Sequence, residues 1–264
     1  MSHRFWCVYE GNEPISRRSL DAELVARGLA TSRQHAQELI ATHRVTVGGA
    51  PADKPTRQVS PAEPVLVADP PPRFVGRGGQ KLEGALDAFG IDPTARRCLD
   101  AGSSTGGFTD CLVQGGAASV MSVDVGTNQL HEKLRANPLV DVHENTDIRS
   151  ITAEKGAEFD LIVADLSFIS TTSLLPVFAE LLAPEGDVVV LVKPQFEADR
   201  QEASKGRGII RDPTIWTRVL HEFIDGATSA GLLVTDLAIS PIVGGKGNVE
   251  FLAHLHHLAS DPQY

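Results

Sequence analysis

Apolar positions near the start of the chain fall at helical spacing. Leu20, Leu24, Val25 and Ala26, ended by Gly28, predict one short helix. Thr31 or Ser32 can cap a second, whose apolar face is Ala36, Leu39 and Ile40. Val45 and Val47 then alternate as a strand into the turn Gly48-Gly49, and Val65 and Val67 predict a later strand. Asp69-Pro70-Pro71-Pro72 is a stiff extended spacer, unsuited to a helix or to the interior of a sheet. Beyond it, short apolar runs alternate with amphipathic stretches. Strands are predicted at Cys98-Leu99 and at 119–123, 139–142, 160–164, 187–192, 232–239 and 249–255, and helices around 80–89, 107–115, 128–135, 171–182 and 213–230. Such alternation predicts a doubly wound α/β sheet of parallel strands, with ligands at the carboxyl ends of those strands.

The 264 residues suffice for one domain of ordinary size and a smaller one. No run approaches the roughly 18 apolar residues of a membrane-spanning helix. Residues 1–10 lack an apolar core followed by a cleavage site, so a cytoplasmic protein is expected. Cys7, Cys98 and Cys111 are odd in number with no Cys-x-x-Cys spacing, and suggest neither a disulfide framework nor a metal site. The net charge of −10 is unevenly spread: residues 1–80 carry 10 basic and 8 acidic side chains, the remainder 14 and 26. The first segment is therefore +2 and the rest −12, which leaves room for a nucleic-acid contact at the amino-terminal end. A solvated surface of chance composition would look similar.

Arg17, Arg18, Arg27, Arg33 and Arg44 cluster in the helical part of the first segment, where guanidinium groups could meet RNA phosphates. Through Leu20 to Val25, Gly28-Leu29-Ala30, Ser32-Arg33, Ala36, Ile40, Val45, Val47, Gly49 and Lys54-Pro55, residues 17–68 resemble the S4-type RNA-binding domain, a small α+β unit. The predicted organisation is an extension over 1–16, this domain over 17–68, a linker over 69–76 and an α/β domain over 77–264.

Leu99 to Phe108 closes the first strand of that domain and opens a helix around Gly102, Gly106 and Gly107. It is not Gly-x-Gly-x-x-Gly, and no phosphate-binding Gly-x-x-x-x-Gly-Lys-Ser/Thr occurs. An acidic residue before the turn suits a cationic ligand, and Asp124 after the next strand could bond ribose hydroxyls. The loop resembles the S-adenosylmethionine site of Rossmann-like class I methyltransferases. That resemblance implies Asp100 and Gly102 near the methionine end, Ser103, Ser104, Gly106, Gly107 and Phe108 around it, Asp124 near the ribose and Asp147 near the adenine.

After the fourth strand stands Ala164-Asp165-Leu166-Ser167-Phe168, which is neither the Asn/Asp-Pro-Pro-aromatic signature of amine methylation nor the cysteine that methylation of pyrimidine carbon needs. Instead, Lys81, Asp165, Lys193 and Glu250 interrupt strand ends or a helix start. A lone lysine there is ordinarily a snorkelling surface residue. Four such groups on the ligand side are expensive to bury unless they satisfy one another. One ammonium beside another would lower its pKa, so Lys193 is the expected base for a ribose hydroxyl. Lys81 would tune and orient, and Asp165 and Glu250 would hold the two lysines.

This Lys-Asp-Lys-Glu set resembles that of the FtsJ/RrmJ-type ribose 2′-O-methyltransferases. With the RNA-binding domain in front, residues 17–256 resemble the TlyA family, also called haemolysins, through Arg77 to Leu82, Leu99 to Phe108, Val123 to Gly126, Val163 to Ser170, Val192 to Glu197 and Ser240 to Phe251. The resemblance implies methylation of cytidine ribose in ribosomal RNA, in the large subunit and for one subtype also the small. Three departures stand out. Arg73-Phe74-Val75-Gly76 replaces an aromatic-Val-Ser linker, and Ala198 to Gly208 is long and charged, with Lys205 and Arg207 as further RNA contacts or a solvated loop. Residues 1–16 have no counterpart, and the short tail favours the large-subunit subtype. The competing readings are methylation of another RNA class, a non-catalytic RNA-binding protein and a membrane-lytic haemolysin. The last lacks a signal peptide, an apolar span or a basic amphipathic helix.

Overall fold

The computed structural model describes residues 17–69, 72–152 and 158–258. Its compact units divide between Pro71 and Pro72. The expected extension over 1–16 lies outside the described residues.

In the first unit, α1 (Leu20–Ala26) and α2 (Arg33–Ala41) pack over short strands: β1 (Arg18–Ser19) pairs with β4 (Gln58–Val59), and β2 (Val45–Val47) lies between β3 (Ala50–Pro51) and β5 (Val65–Val67). The predicted helical stripes form the core. Leu20, Leu24, Ala36 and Ile40 are buried against Val45, Val47 and Val59. Ser32 caps α2 by accepting a hydrogen bond from the His35 amide at 3.1 Å, which satisfies one of the free N–H groups of the first turn.

The second unit contains α3 (Gly78–Phe89), β6 (Arg97–Ala101), α4 (Gly107–Gln114), β7 (Ser119–Val123), α5 (Glu132–Arg135), β8 (Val140–His143), β9 (Phe159–Ala164), α6 (Leu175–Leu181), β10 (Leu182–Val192), α7 (Pro194–Glu197), α8 (Arg200–Lys205), α9 (Pro213–Ser229), β11 (Leu232–Ile239) and β12 (Phe251–His257). The sheet order is β11-β12-β10-β9-β6-β7-β8. One face carries α6 and α9 through Phe178, Val219 and Phe223, and the other α3 and α4 through Leu82, Leu86, Phe108 and Leu112.

The sheet is Rossmann-like, and the unit departs from the expected pattern in three places. It is mixed, because β12 runs antiparallel to both β10 and β11. The alternation of strand and helix stops after α9, and two consecutive strands without a helical crossover pair antiparallel. The predicted helix at 128–135 shortens to 132–135 because the Asn128, Gln129 and Leu130 amides donate to Glu144 instead of to a helix. The 198–208 stretch is not all loop: Asp199 and Glu202 form a capping box that starts α8. Residues 73–76 pack into the second unit, where Phe74 is buried and the Val75 amide donates to Asp110 at 2.9 Å.

Candidate active site

The four charges predicted from strand ends meet at one edge of the sheet. Asp165 follows β9, Lys193 follows β10, and Lys81 lies one turn into α3. Glu250 precedes β12. Because that strand is antiparallel, with Phe251 paired to Val192, its beginning lies where β10 ends. Lys81 Nζ is 2.6 Å from Glu250 Oε2 and 3.3 Å from Asp165 Oδ2, and Lys193 Nζ is 2.6 Å from Asp165 Oδ1. Lys193 also donates to the Leu166 carbonyl at 2.7 Å and to Ser167 Oγ at 3.3 Å. Lys81, Lys193 and Glu250 are all buried, so each ammonium has a carboxylate partner that offsets its desolvation. Asp165 holds both lysines, whereas Glu250 holds Lys81 alone. Gly244 permits this, since a Cβ there would strike the Glu250 carboxylate.

These groups line a cavity of about 590 Å³ that also receives Gly102, Phe108, Gln195 and Phe196. A second cavity of about 540 Å³, lined by Asp124, Val125, Asp147 and Ile148, shares Gly102, Ser104, Asp165, Ser167 and Phe168 with the first. The glycine loop forms the ridge between them. Gly106 has φ 96°, a left-handed conformation that favours glycine, and starts α4. Gly107 lets α4 approach α3, for a Cβ there would lie 2.9 Å from the Gly79 amide nitrogen. Gly79, by contrast, makes room for the Phe74 ring.

Asp124 fixes the loop, accepting from the Ser104 amide at 2.8 Å and the Gly126 amide at 2.6 Å. A carboxylate offers about four lone-pair sites, so two remain for ribose hydroxyls. Asp100 is fully buried. Its Oδ2 accepts from Thr109 Oγ1 at 2.6 Å, while Oδ1 has no partner among the described residues. Burial pushes its carboxyl up to about 7, with Asp165 and Asp124 adding to the shift and Thr109 opposing it. Asp147 is bonded by Arg149, which lowers its carboxyl to about 2. A glycine ridge between two adjoining cavities fits a long ligand with a cation at its middle, while Asp100 is buried and lines neither cavity. Asp124, Asp147, Val125 and Ile148 would take its nucleoside end, and the Gly102–Gly107 loop above Asp100 the sulfonium end.

Among the described residues, which do not include Cys7, cysteine chemistry has no place here. Burial raises the Cys98 and Cys111 thiols to about 12, and neither lines either cavity.

Several residues beside the tetrad escaped the sequence reading. Phe168 is 93% exposed with φ 67°, and its ring lies 5.4 Å from that of Phe196 at the charged cavity. Buried Asn248 donates to the Gly208 carbonyl at 2.8 Å and accepts from the Ile210 amide at 3.0 Å, tying the segment after α8 to the loop before Glu250. Glu197 accepts from Ser170 Oγ at 2.5 Å, the Thr171 amide at 2.6 Å and Thr172 Oγ1 at 2.9 Å, and so joins the segments that follow Asp165 and Lys193. The available signal was an aromatic residue beside a charged strand end, at Phe168 and Phe196.

The predicted RNA-contact arginines divide into two sets. Arg17, Arg18 and Arg33 are exposed, Arg33 with its guanidinium 3.6 Å from Asp21 and 3.5 Å from Ser19 Oγ. Arg27 is bonded to Glu23 at 2.9 Å and to the carbonyls of Glu63, Ser60 and Pro61, and Arg44 to the Ala68 carbonyl at 2.8 Å, so these two serve the first unit's own fold. Lys205 and Arg207 are exposed just before Gly208, which lines the charged cavity.

Fold and site together define an S-adenosylmethionine-dependent methyltransferase of the Rossmann-like class. Residues 74–257 match the FtsJ-like methyltransferase family and residues 18–65 the S4 domain. The chain belongs to the FtsJ-like methyltransferases, in their TlyA family. It is 45% identical over 241 residues to the 16S/23S rRNA (cytidine-2′-O)-methyltransferase TlyA of Mycobacterium tuberculosis, covering 90% of each chain. It is 34% identical to the 23S rRNA (cytidine-2′-O)-methyltransferase TlyA of Campylobacter jejuni, covering 86% of this chain and 95% of that one. A solved hemolysin-named structure from Streptococcus thermophilus is 37% identical, with a TM-score of 0.69 over 94% of this chain and 90% of the other.

Proposed function

We propose that the protein methylates the ribose 2′-oxygen of a cytidine in ribosomal RNA, with Lys193 as general base. The observation that carries this reading is the buried Lys193 Nζ, aimed into the cavity beside the glycine ridge and held by Asp165, the Leu166 carbonyl and Ser167. S-adenosylmethionine supplies an electrophilic methyl on a sulfonium. A ribose hydroxyl is a weak nucleophile, and it needs its proton taken as the oxygen attacks in line. Lys193, acting as the base, accepts that proton at Nζ. The resulting ammonium lies against Asp165, which offsets the new charge without moving. Lys81, neutralised by Glu250 and Asp165, positions the hydroxyl.

A target ribose inside folded RNA must be swung out of its stack to reach a buried lysine. The exposed Phe168, against Phe196 at the cavity, offers the extruded base an aromatic face. Arg17, Arg18 and Arg33 on the first unit, and Lys205 and Arg207 on the second, supply phosphate contacts. Both TlyA relatives are named for 23S RNA and the more similar one also for 16S, which supports the large subunit as substrate and the small subunit as a second one.

The test is methyl transfer from labelled S-adenosylmethionine to unmodified 30S and 50S subunits, mapped by primer extension. Wild type should mark a cytidine 2′-oxygen. Lys193→Ala should lose about 100-fold or more in rate, the ordinary share of a general base, while still binding the cofactor. Transfer that survives Lys193→Ala would remove the lysine from its role, and transfer only to another RNA class would replace the substrate.

A further inference from the structure

At the end of the sheet opposite the active site, β12 and β10 bring together side chains that methyl transfer does not use. His254 and His256 are two residues apart on β12 and therefore project from one face of the strand. Asp187 on β10 is one pair beyond Val188, whose partner is Leu255, which places it across from His256. Asp187 Oδ1 is 2.8 Å from His254 Nε2 and 3.3 Å from His256 Nδ1. All three atoms lie within 4.8 Å of one another.

We propose that Asp187, His254 and His256 form a binding site for a divalent transition metal, Zn²⁺ in the first instance. Zinc bonds to nitrogen and carboxylate oxygen are about 2.0–2.2 Å long, so two ligand atoms of a tetrahedral site lie about 3.4 Å apart. The two distances at Asp187, 2.8 and 3.3 Å, fall just inside that edge, and a metal would push the ligands apart by a few tenths of an ångström. Two histidines and one carboxylate are a borderline donor set that suits zinc rather than magnesium or calcium. The outer contacts that metal ligands need are also present. His254 Nδ1 lies 3.2 Å from Thr235 Oγ1 and 3.9 Å from Asp236, which orients Nε2 toward Asp187, and the ring stacks on Phe89. The second oxygen of Asp187 is bonded by Arg96, which fixes the plane of the carboxylate. The His256 side chain is 40% exposed, so a fourth position opens to water.

A metal here would cross-link β10 to β12 at the far end of the strands that present Lys193 and Glu250. From Asp187 to Lys193 is six residues of strand, or about 20 Å, too far for the ion to touch the reaction. The cysteines gave no hint of such a site; His-x-His on a strand is where its sequence signal lies.

The experiment is titration of the chelator-stripped full chain with Zn²⁺ against a chromophoric chelator, and with Co²⁺ by its visible d–d absorption. One equivalent should bind, with a four-coordinate cobalt spectrum. His256→Gln, at a half-exposed position the fold tolerates, and Asp187→Asn should each weaken binding at least about 10-fold, and His256→Gln should leave methyl transfer unchanged. Absence of stoichiometric binding, or binding undiminished in both variants, would overturn the site and leave a hydrogen-bonded ion cluster only.

Discussion

Asp100 links the cofactor loop to the solution pH. Its unfolded carboxyl titrates near 3.8 and its buried one near 7, so the folded chain prefers it protonated. The stability gained by keeping that proton is complete below about pH 4 and is lost as pH rises through about 7. Asp100 lines neither cavity, but a sulfonium bound on the glycine ridge of the proposed cofactor site would favour its ionised form. S-adenosylmethionine affinity should therefore rise with pH through about 7, with release of a proton on binding. In Asp100→Asn the rise should flatten, and affinity above pH 7 should fall about 10-fold or more, the worth of one charge-assisted contact. Calorimetry in buffers of different ionisation enthalpy measures both effects, and a pH-independent wild type would refute the assignment. The tetrad was legible in the sequence because a charge that ends an apolar run is costly to bury and so draws notice. Asn248 was not, since its meaning arises from a bond to Gly208 forty residues away.

Among the elements, α9 shows how much of the fold the apolar pattern contains. Val219, Phe223 and Ala227 recur at helical spacing and are the helix's buried stripe. Phe223→Ala should cost about 3–5 kcal/mol in denaturant unfolding, the range for an emptied aromatic site in a packed core, and a loss under 1 kcal/mol would mean the stripe is misplaced. At the start of α4, Gly107→Ala should push α3 and α4 apart and impair cofactor binding and stability together, measured by calorimetry and thermal melting. The direction of β12 was not legible, for alternating apolar residues mark a strand without giving its sense. Nor were α7 and α8, which are shorter than the periodicity needed to detect a helix.

Across the whole molecule the charge is divided, +2 over the first 80 residues and −12 over the rest. An acidic body repels RNA, so attachment must fall to local clusters of cations, and ribosomal-subunit binding should weaken steeply with added salt. Arg18→Ala and Arg33→Ala should each reduce the slope of log affinity against log salt by about 1, with S-adenosylmethionine affinity unaltered. Unchanged binding in both variants would remove the first unit from RNA recognition. The sequence placed these arginines together but did not separate the exposed ones from Arg27, whose carbonyl partners lie 33 to 36 residues away.

The insertion of β12 between β10 and β11 also sets the order in which the four-charge cluster is assembled during synthesis. Lys81 waits for Glu250 across 169 residues, and the strand that carries Glu250 into place is the last of the sheet to be made. A nascent chain can therefore fold its arginine-bearing first unit, and build most of the cofactor loop, long before it holds a complete tetrad. The four-charge cluster is completed only by that strand, so a chain truncated before it would lack both the carboxylate that neutralises Lys81 and the strand that separates β10 from β11.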